Sequence, residues 1–423
     1  MKNTKNIDIF RINGVKVVNF KHESELAFFG IATWNGSNYE IPEIAGVSHF
    51  AEHMFFKGSK KRSAEDIAKD FARIGADYNA YTSNNEVVYF ANSHKDNIEN
   101  VIEIITDLFY NFTMPEEELE KERNVIIEEK KMYDDNPKHA FLNLVGEKFF
   151  RWNIGHETIG TFDTIKKISR NDIINYLQNK INLGNLSFIF SGNIPSEQLK
   201  KILSKYVLSY KNHIFHKKGN INVCRGKFWS NIINTKKPIK LEYQRENITQ
   251  SDVYMITKGL SVLDPDFYSS VLAILALGGG SYSDLFLRIR EDLGLCYSVG
   301  IYNNFLSYPD EVSNVLYGYT SPDKVELFIK ESEKVIRNNI KNGISKDSFE
   351  CAKSNMITDA IRQYETTVGK AMHNIRRCFY GNKKNMELSN ELNKIKKLTI
   401  EDCSRVLKKI FSQQFNWAVM NPK

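Results

Sequence analysis

Cysteine is scarce in this 423-residue chain, and what there is forms no pattern. Cys224, Cys296, Cys351, Cys378 and Cys403 are odd in number and never stand in C-x-x-C spacing, so they build neither a disulfide frame nor a zinc knuckle. They read as reduced thiols. Long apolar runs are missing too. The best, Val271 to Leu277, gives way to three glycines, whereas a spanning helix needs about 20 apolar residues. No membrane partner is expected. Charge of one sign is also short: 58 basic against 51 acidic residues leave +7, spread along the chain. With no recognised nucleic-acid module and no interleaved aromatics on a basic face, nucleic acid is not an expected partner. The first eight residues hold no apolar segment or small-residue cleavage site, so no signal peptide is apparent and the expected compartment is the cytoplasm. A Walker-type G-x-x-x-x-G-K-[ST] is absent, which speaks against an ATP requirement.

Core material is plentiful. Hydrophobic residues make up 42% of the chain, with 27 Phe, 20 Tyr and 4 Trp, so the chain is globular and long enough for two or three domains. Asn13-Gly14 between β-rich runs 7–12 and 15–20 is a hairpin signal, and a further β-rich run covers 26–34. Helices are expected around 47–56 and over 63–74. The second is introduced by Ser63 with Asp66 three residues on, and stopped by Gly75. Residues 78–90 are β-rich again, and two long helices follow over 96–112 and 116–133. A Lys-, Asn- and Gly-rich stretch at 213–237 reads as a solvated linker between halves 1–212 and 238–423. The halves carry a faint repeat. An apolar helix, a glycine, a second helix, a glycine and a strand recur, with glycine pairs at Gly58/Gly75 and Gly278/Gly294.

His49-Phe50-Ala51-Glu52-His53 is the most informative pentapeptide. On an α-helix Glu52 and His53 fall at about −60° and +40° from His49, so all three share a face. Two imidazoles one turn apart can converge on a metal, and the Glu beside them can take a proton from a water that the metal activates. With nine His in the chain, roughly 0.02 such pentapeptides are expected by chance. Hydrolytic zinc takes three protein ligands plus water, so a third is required.

The motif is the inverse of H-E-x-x-H, and here the sequence resembles the pitrilysin-like (inverzincin, M16) zinc metallopeptidases, the processing-peptidase branch in particular. Gly36-Ser37-Asn38-Tyr39-Glu40 before the motif and Met54 to Ser59 after it look like the family's flanks. Ile159-Gly160-Thr161, Ser191 to Ile194, and the stretch from Gly278 through Arg290 to Tyr297 extend the resemblance over nearly the whole chain. It implies a third ligand in the segment Glu122 to Glu129. Glu129, 76 residues after His53, takes that position, with adjacent Glu128 as the alternative. Glu122, two turns earlier, resembles the family's supporting acid. Asn79, Ala80, Tyr81 and Thr82 are similar to the edge strand that holds an extended substrate. Arg290 and Tyr297 fall on the pair that grips the substrate backbone and supports the oxyanion.

Two departures stand out. Asn85 occupies a position where many relatives have Glu, and Asp284 one where Arg is common; both bear on substrate preference before activity. What the resemblance implies is an α+β fold of two similar domains, each a mostly antiparallel sheet with helices on one side, forming a clamshell. The implied function is zinc-dependent hydrolysis of unfolded or extended peptides, with one Zn²⁺ per chain and a homodimeric assembly. Glu52 would be the general base. The competing reading from the same family is a catalytically silent structural or partner subunit, which typically lacks part of the metal set.

Overall fold

The computed structural model describes residues 6–207, 238–412 and 415–423. The linker expected at 213–237 and Cys224 lie outside the described residues. The chain divides into two compact units, and neither is a single stretch of sequence. The first comprises Met1–Tyr133, His156–Gly226 and Ile361–Asn390; the second comprises Asp134–Gly155, Lys227–Ala360 and Glu391–Lys423.

In the first unit the strands are β1 (Ile7–Ile12), β2 (Val15–Lys21), β3 (Leu26–Thr33), β4 (Asp77–Thr82), β5 (Val87–His94) and β6 (Leu186–Gly192). Asn13 and Gly14 both adopt positive φ, 49° and 89°, the paired left-handed geometry that a two-residue hairpin requires. Strand order is β1-β2-β6-β3-β5-β4, with β2 and β6 parallel and the other pairs antiparallel. Helices α1 (Val47–Met54), α2 (Ala64–Arg73), α3 (Ile98–Asn111) and α4 (Glu116–Asp135) belong to this part of the chain. α2 starts where its capping signal stands: the Ser63 hydroxyl accepts from the Asp66 amide, and the Asp66 side chain accepts from the Ser63 amide. Phe29, Ile31, Phe188 and Phe190 of the sheet are buried with Val47, Phe50 and Met54 of α1 and Val101, Ile105 and Leu108 of α3. Burying each such side chain contributes roughly 1.5–3 kcal/mol.

The sheet's other face alternates with the first, as the strand repeat dictates, and is covered by one helix from far along the chain, Thr367–Tyr380. The Trp34 ring lies 5.0 Å from Phe379 and 4.8 Å from Tyr380. Lys16 Nζ donates to the Cys378 carbonyl, Lys370 Nζ donates to the Lys21 carbonyl at 2.7 Å, and Arg376 pairs with buried Glu86 at 3.0 Å.

The second unit repeats the plan. Its strands are β7 (Lys240–Arg245), β8 (Ser251–Lys258), β9 (Cys296–Ser307), β10 (Glu311–Thr320) and β11 (Asn416–Pro422), in the order β7-β11-β8-β10-β9. β7 and β11 run parallel, and the rest antiparallel. With β1 set aside, β2-β6-β3-β5-β4 and β7-β11-β8-β10-β9 have the same directions and the same chain order, so the halves are structural repeats. Val253, Met255, Leu272, Leu277, Leu316, Phe328 and Trp417 anchor the second core. Here too a distant helix supplies the other face. Phe141, on Pro137–Phe149, packs its ring 5.8 Å from Tyr243 and 5.3 Å from Tyr254. Among the described residues no helix is long and apolar enough to cross a membrane.

Candidate metal centre and active site

The helix that carries the H-x-x-E-H pentapeptide is short, and its start is fixed from outside. Gly46, the residue before α1, has φ 93°, and a Cβ there would stand 2.4 Å from the Ile159 carbonyl oxygen. A Cβ on Gly160 would meet the Ala45 oxygen at 2.3 Å. The two segments can cross this closely only as glycines. No side chain at the start of α1 caps it. Instead the buried Glu40 carboxylate accepts from the Gly46 and Ser48 amides, each at 2.8 Å, and pairs with His156 Nε2 at 3.1 Å. An anion at a helix N-terminus offsets the unpaired amides there.

The first turn and a half of α1 then brings His49 and His53 side by side, ring centroids 4.6 Å apart. α4 contributes the third donor. Glu129 Oε2 is 3.3 Å from His53 Nε2 and 3.7 Å from His49 Nε2, and one ligand atom from each of the three lies within 4.8 Å of the others. Zinc–nitrogen and zinc–oxygen bonds of about 2.0–2.2 Å in a tetrahedron put ligand atoms roughly 3.3–3.6 Å apart. Two imidazoles and a carboxylate this close together are a donor set that would hold a zinc ion. Glu128, the alternative ligand, instead pairs with Lys131 at the surface at 2.7 Å and is not in the trio.

Around the trio the polar groups are ordered. His53 Nδ1 donates to Glu122 Oε2 at 3.0 Å, which leaves Nε2 turned toward Glu129, and Lys57 pairs with the other Glu122 oxygen. Tyr133 donates its phenol to Glu129 Oε1 at 2.9 Å. Burial, then the charge on His53, pushes the His49 imidazole down to about 4. Burial also opposes protonation of His53, but hydrogen bonds to Glu122 and Glu129 and the charges of Glu52 and Glu129 outweigh it and push it up to about 9. Glu129 is held below the usual carboxylate range by its hydrogen bond to His53. Glu52 is the exception among the acids. Burial raises it, although a hydrogen bond from Thr82 Oγ1 at 3.1 Å opposes the shift. A partly buried carboxylate with a raised proton affinity is what base catalysis near neutral pH calls for.

Asn79, Ala80, Tyr81 and Thr82 lie on β4, an edge strand whose pairing partner among the described residues is β5 alone. Its free edge can accept an added strand. Asn85 stands in the turn that follows. It is fully buried, its carbonyl accepts from the Gly36 amide at 3.0 Å, and its side chain meets Asn38. Gly36 is required there, since a Cβ would lie 2.2 Å from the Ser83 oxygen.

Arg290 and Tyr297 belong to the second unit and are brought together within it. The guanidinium carbon of Arg290 stands 5.1 Å from the Tyr297 ring centroid and 4.6 Å from that of Phe286. Arg290 sits in a π-helical turn, Phe286–Asp292, closed by left-handed Gly294 (φ 55°), and Tyr297 at the start of edge strand β9 is 81% exposed. Such wide turns are frequent at functional sites. Asp284 accepts a hydrogen bond from the Ser348 hydroxyl. The sequence assigned no role to Tyr133, and placed Glu40 and Lys57 only within the segments flanking the motif. Tyr133 carried a usable signal, because it stands one helical turn beyond Glu129.

Comparison with known proteins follows the same lines. The family described as "Insulinase (Peptidase family M16)" matches residues 17–161, and "Peptidase M16 inactive domain" matches residues 167–356. An uncharacterized zinc protease, YmxG, of Bacillus subtilis is 29% identical over 421 residues, covering 97% of both chains. An uncharacterized zinc protease of Rickettsia felis is 30% identical over 78% of this chain and 77% of its own. The β subunit of the Neurospora crassa mitochondrial-processing peptidase is 25% identical over 57% of this chain and 50% of its own. In fold, a protease from Helicobacter pylori aligns with a TM-score of 0.87 at 19% identity, covering 98% of this chain and 99% of that one.

Proposed function

This chain belongs to peptidase family M16, and from that premise we propose that it is a zinc-dependent endopeptidase acting on unfolded or extended peptides. The observation that carries the proposal is the convergence of His49, His53 and Glu129 within 4.8 Å, with half-buried Glu52 on the same short helix. Zinc held by these three would polarise the scissile carbonyl and lower the pKa of a water toward about 7. Glu52 takes the proton of the attacking water and delivers it to the leaving amine, one carboxylate serving as base and then acid. Thr82 keeps Glu52 oriented through its 3.1 Å hydrogen bond. The free edge of β4 takes the substrate backbone as an added strand through Asn79 to Thr82, which restricts substrates to segments that can be drawn out straight. Arg290 and Tyr297 are assigned the substrate grip. A guanidinium and a phenol are suited to donating to the charge that develops on a carbonyl oxygen. One zinc per chain and a homodimer complete the proposal.

The decisive experiment is Glu52→Gln. It should keep about one zinc per chain yet lose at least about 100-fold in kcat on an unstructured peptide library, as loss of a general base does. Wild-type turnover in that variant would sink the mechanism. Zinc binding by the wild-type protein without any peptide cleavage would point instead to a silent subunit.

A further inference from the structure

Glu129 offers two oxygens, and the three-ligand arrangement uses one. Oε2 faces both histidines, at 3.3 and 3.7 Å, while Oε1 accepts the Tyr133 phenol at 2.9 Å. A carboxylate on its own is poorly held. The terminal torsion of Glu is broad and nearly two-fold, so either oxygen, or both together, can be presented to a cation. The Tyr133 hydroxyl can only donate to a carboxylate, and it is placed one turn along α4, where i and i+4 side chains meet. Its hydrogen bond occupies Oε1 and fixes the plane of the carboxylate.

We propose that Tyr133 is a positioning residue that restricts Glu129 to ligation through one oxygen and thereby keeps a coordination position open for the attacking water. This rests on the reading that His49, His53 and Glu129 hold zinc. The same logic operates on the other side of the centre, where Glu122 fixes the His53 ring through Nδ1. Partners of this kind orient ligands and tune their affinity. The two supports differ in kind. Glu122 sets which nitrogen of a ligand faces the metal, and Tyr133 sets how many oxygens of a ligand do.

The test is Tyr133→Phe in the full chain. It removes one hydroxyl from a partly exposed ring and leaves the packing surface in place. Zinc affinity, read by competition with a chromophoric chelator, should weaken by about 10- to 100-fold, the usual cost of losing a ligand's hydrogen-bond partner. The cobalt-substituted protein should lose visible absorption intensity as Glu129 adds its second oxygen, while the melting temperature of the metal-free protein stays at the wild-type value. Wild-type zinc affinity together with a wild-type cobalt spectrum would overturn the positioning role. Glu129→Gln separates the two levels of the argument. If it binds zinc as tightly as wild type, the ligand reading itself fails. If it loses zinc while Tyr133→Phe is unaffected in affinity and spectrum, only the role of Tyr133 fails.

Discussion

The two units have the same sheet topology but use equivalent positions for different purposes. In the first unit the helix before Gly75 places Phe71 four residues ahead of that glycine, and β4 places Tyr78 three residues beyond it; their rings stack at 4.2 Å. In the second unit the residues at those offsets from Gly294 are Arg290 and Tyr297, with the guanidinium 5.1 Å over the ring. Both glycines are left-handed, φ 59° and 55°. One frame thus holds an aromatic stack anchored on fully buried Phe71 in one unit and a cation–π pair on strongly exposed Tyr297 in the other. The preceding helices diverge in the same way. α1 carries His49, Glu52 and His53, whereas Phe267–Gly278 buries Leu272, Ala273, Ile274, Ala276 and Leu277. Glycines and apolar periodicity preserve the fold, and a handful of side chains decide what each copy does on it.

That contrast can be broken by substitution at the matched positions. The largest effect is expected at Phe71, which is fully buried. Phe71→Ala should cost about 3–5 kcal/mol of stability, measurable in a denaturant titration. Arg290→Ala should leave the denaturation midpoint and zinc content unchanged but lower kcat/KM by about 100-fold, the scale of one lost oxyanion donor. If Arg290→Ala unfolds the protein, or if Phe71→Ala proves harmless to stability, the matched pairs do not differ in the way described. A smaller effect separates metal support from bulk packing. Glu122→Gln should weaken zinc binding by roughly 10- to 100-fold without touching the second unit. Equilibrium dialysis against a chelator reads it directly, and an unchanged affinity would leave the Glu122–His53 hydrogen bond without a role in the metal site.

Part of the candidate site was legible in the sequence through periodicity, while Glu122, Glu129, Arg290 and Tyr297 were reached only through the family resemblance. His49, Glu52 and His53 share a helix face by arithmetic alone, and the left-handed Asn13-Gly14 turn and the Ser63/Asp66 cap act over a few residues. The repeat was visible only as glycine spacings, because the apolar alternation of strands does not say which strands pair. Three things were not legible. Glu40 caps a helix that begins seven residues later, a contact set by two crossing glycine segments and not by any local pattern. The π-helical turn under Arg290 has no composition of its own. Nor does any local signal show that Pro137–Phe149 covers the second sheet while Thr367–Tyr380 covers the first, since amphipathic helices reveal that they pack and not against what.

That last exchange sets a clock on synthesis. The strands of the first sheet are complete once Gly192 has been made, but the helix that covers its second face ends at Tyr380. At about 5–20 residues per second, the ribosome needs roughly 10–40 s to supply the missing helix. Throughout that interval Phe28, Trp34 and their neighbours lack that helix, long after α1 and α4, which carry the candidate metal centre, have emerged. The metal centre can assemble early. The sheet behind it has to wait for a helix made from a much later part of the chain.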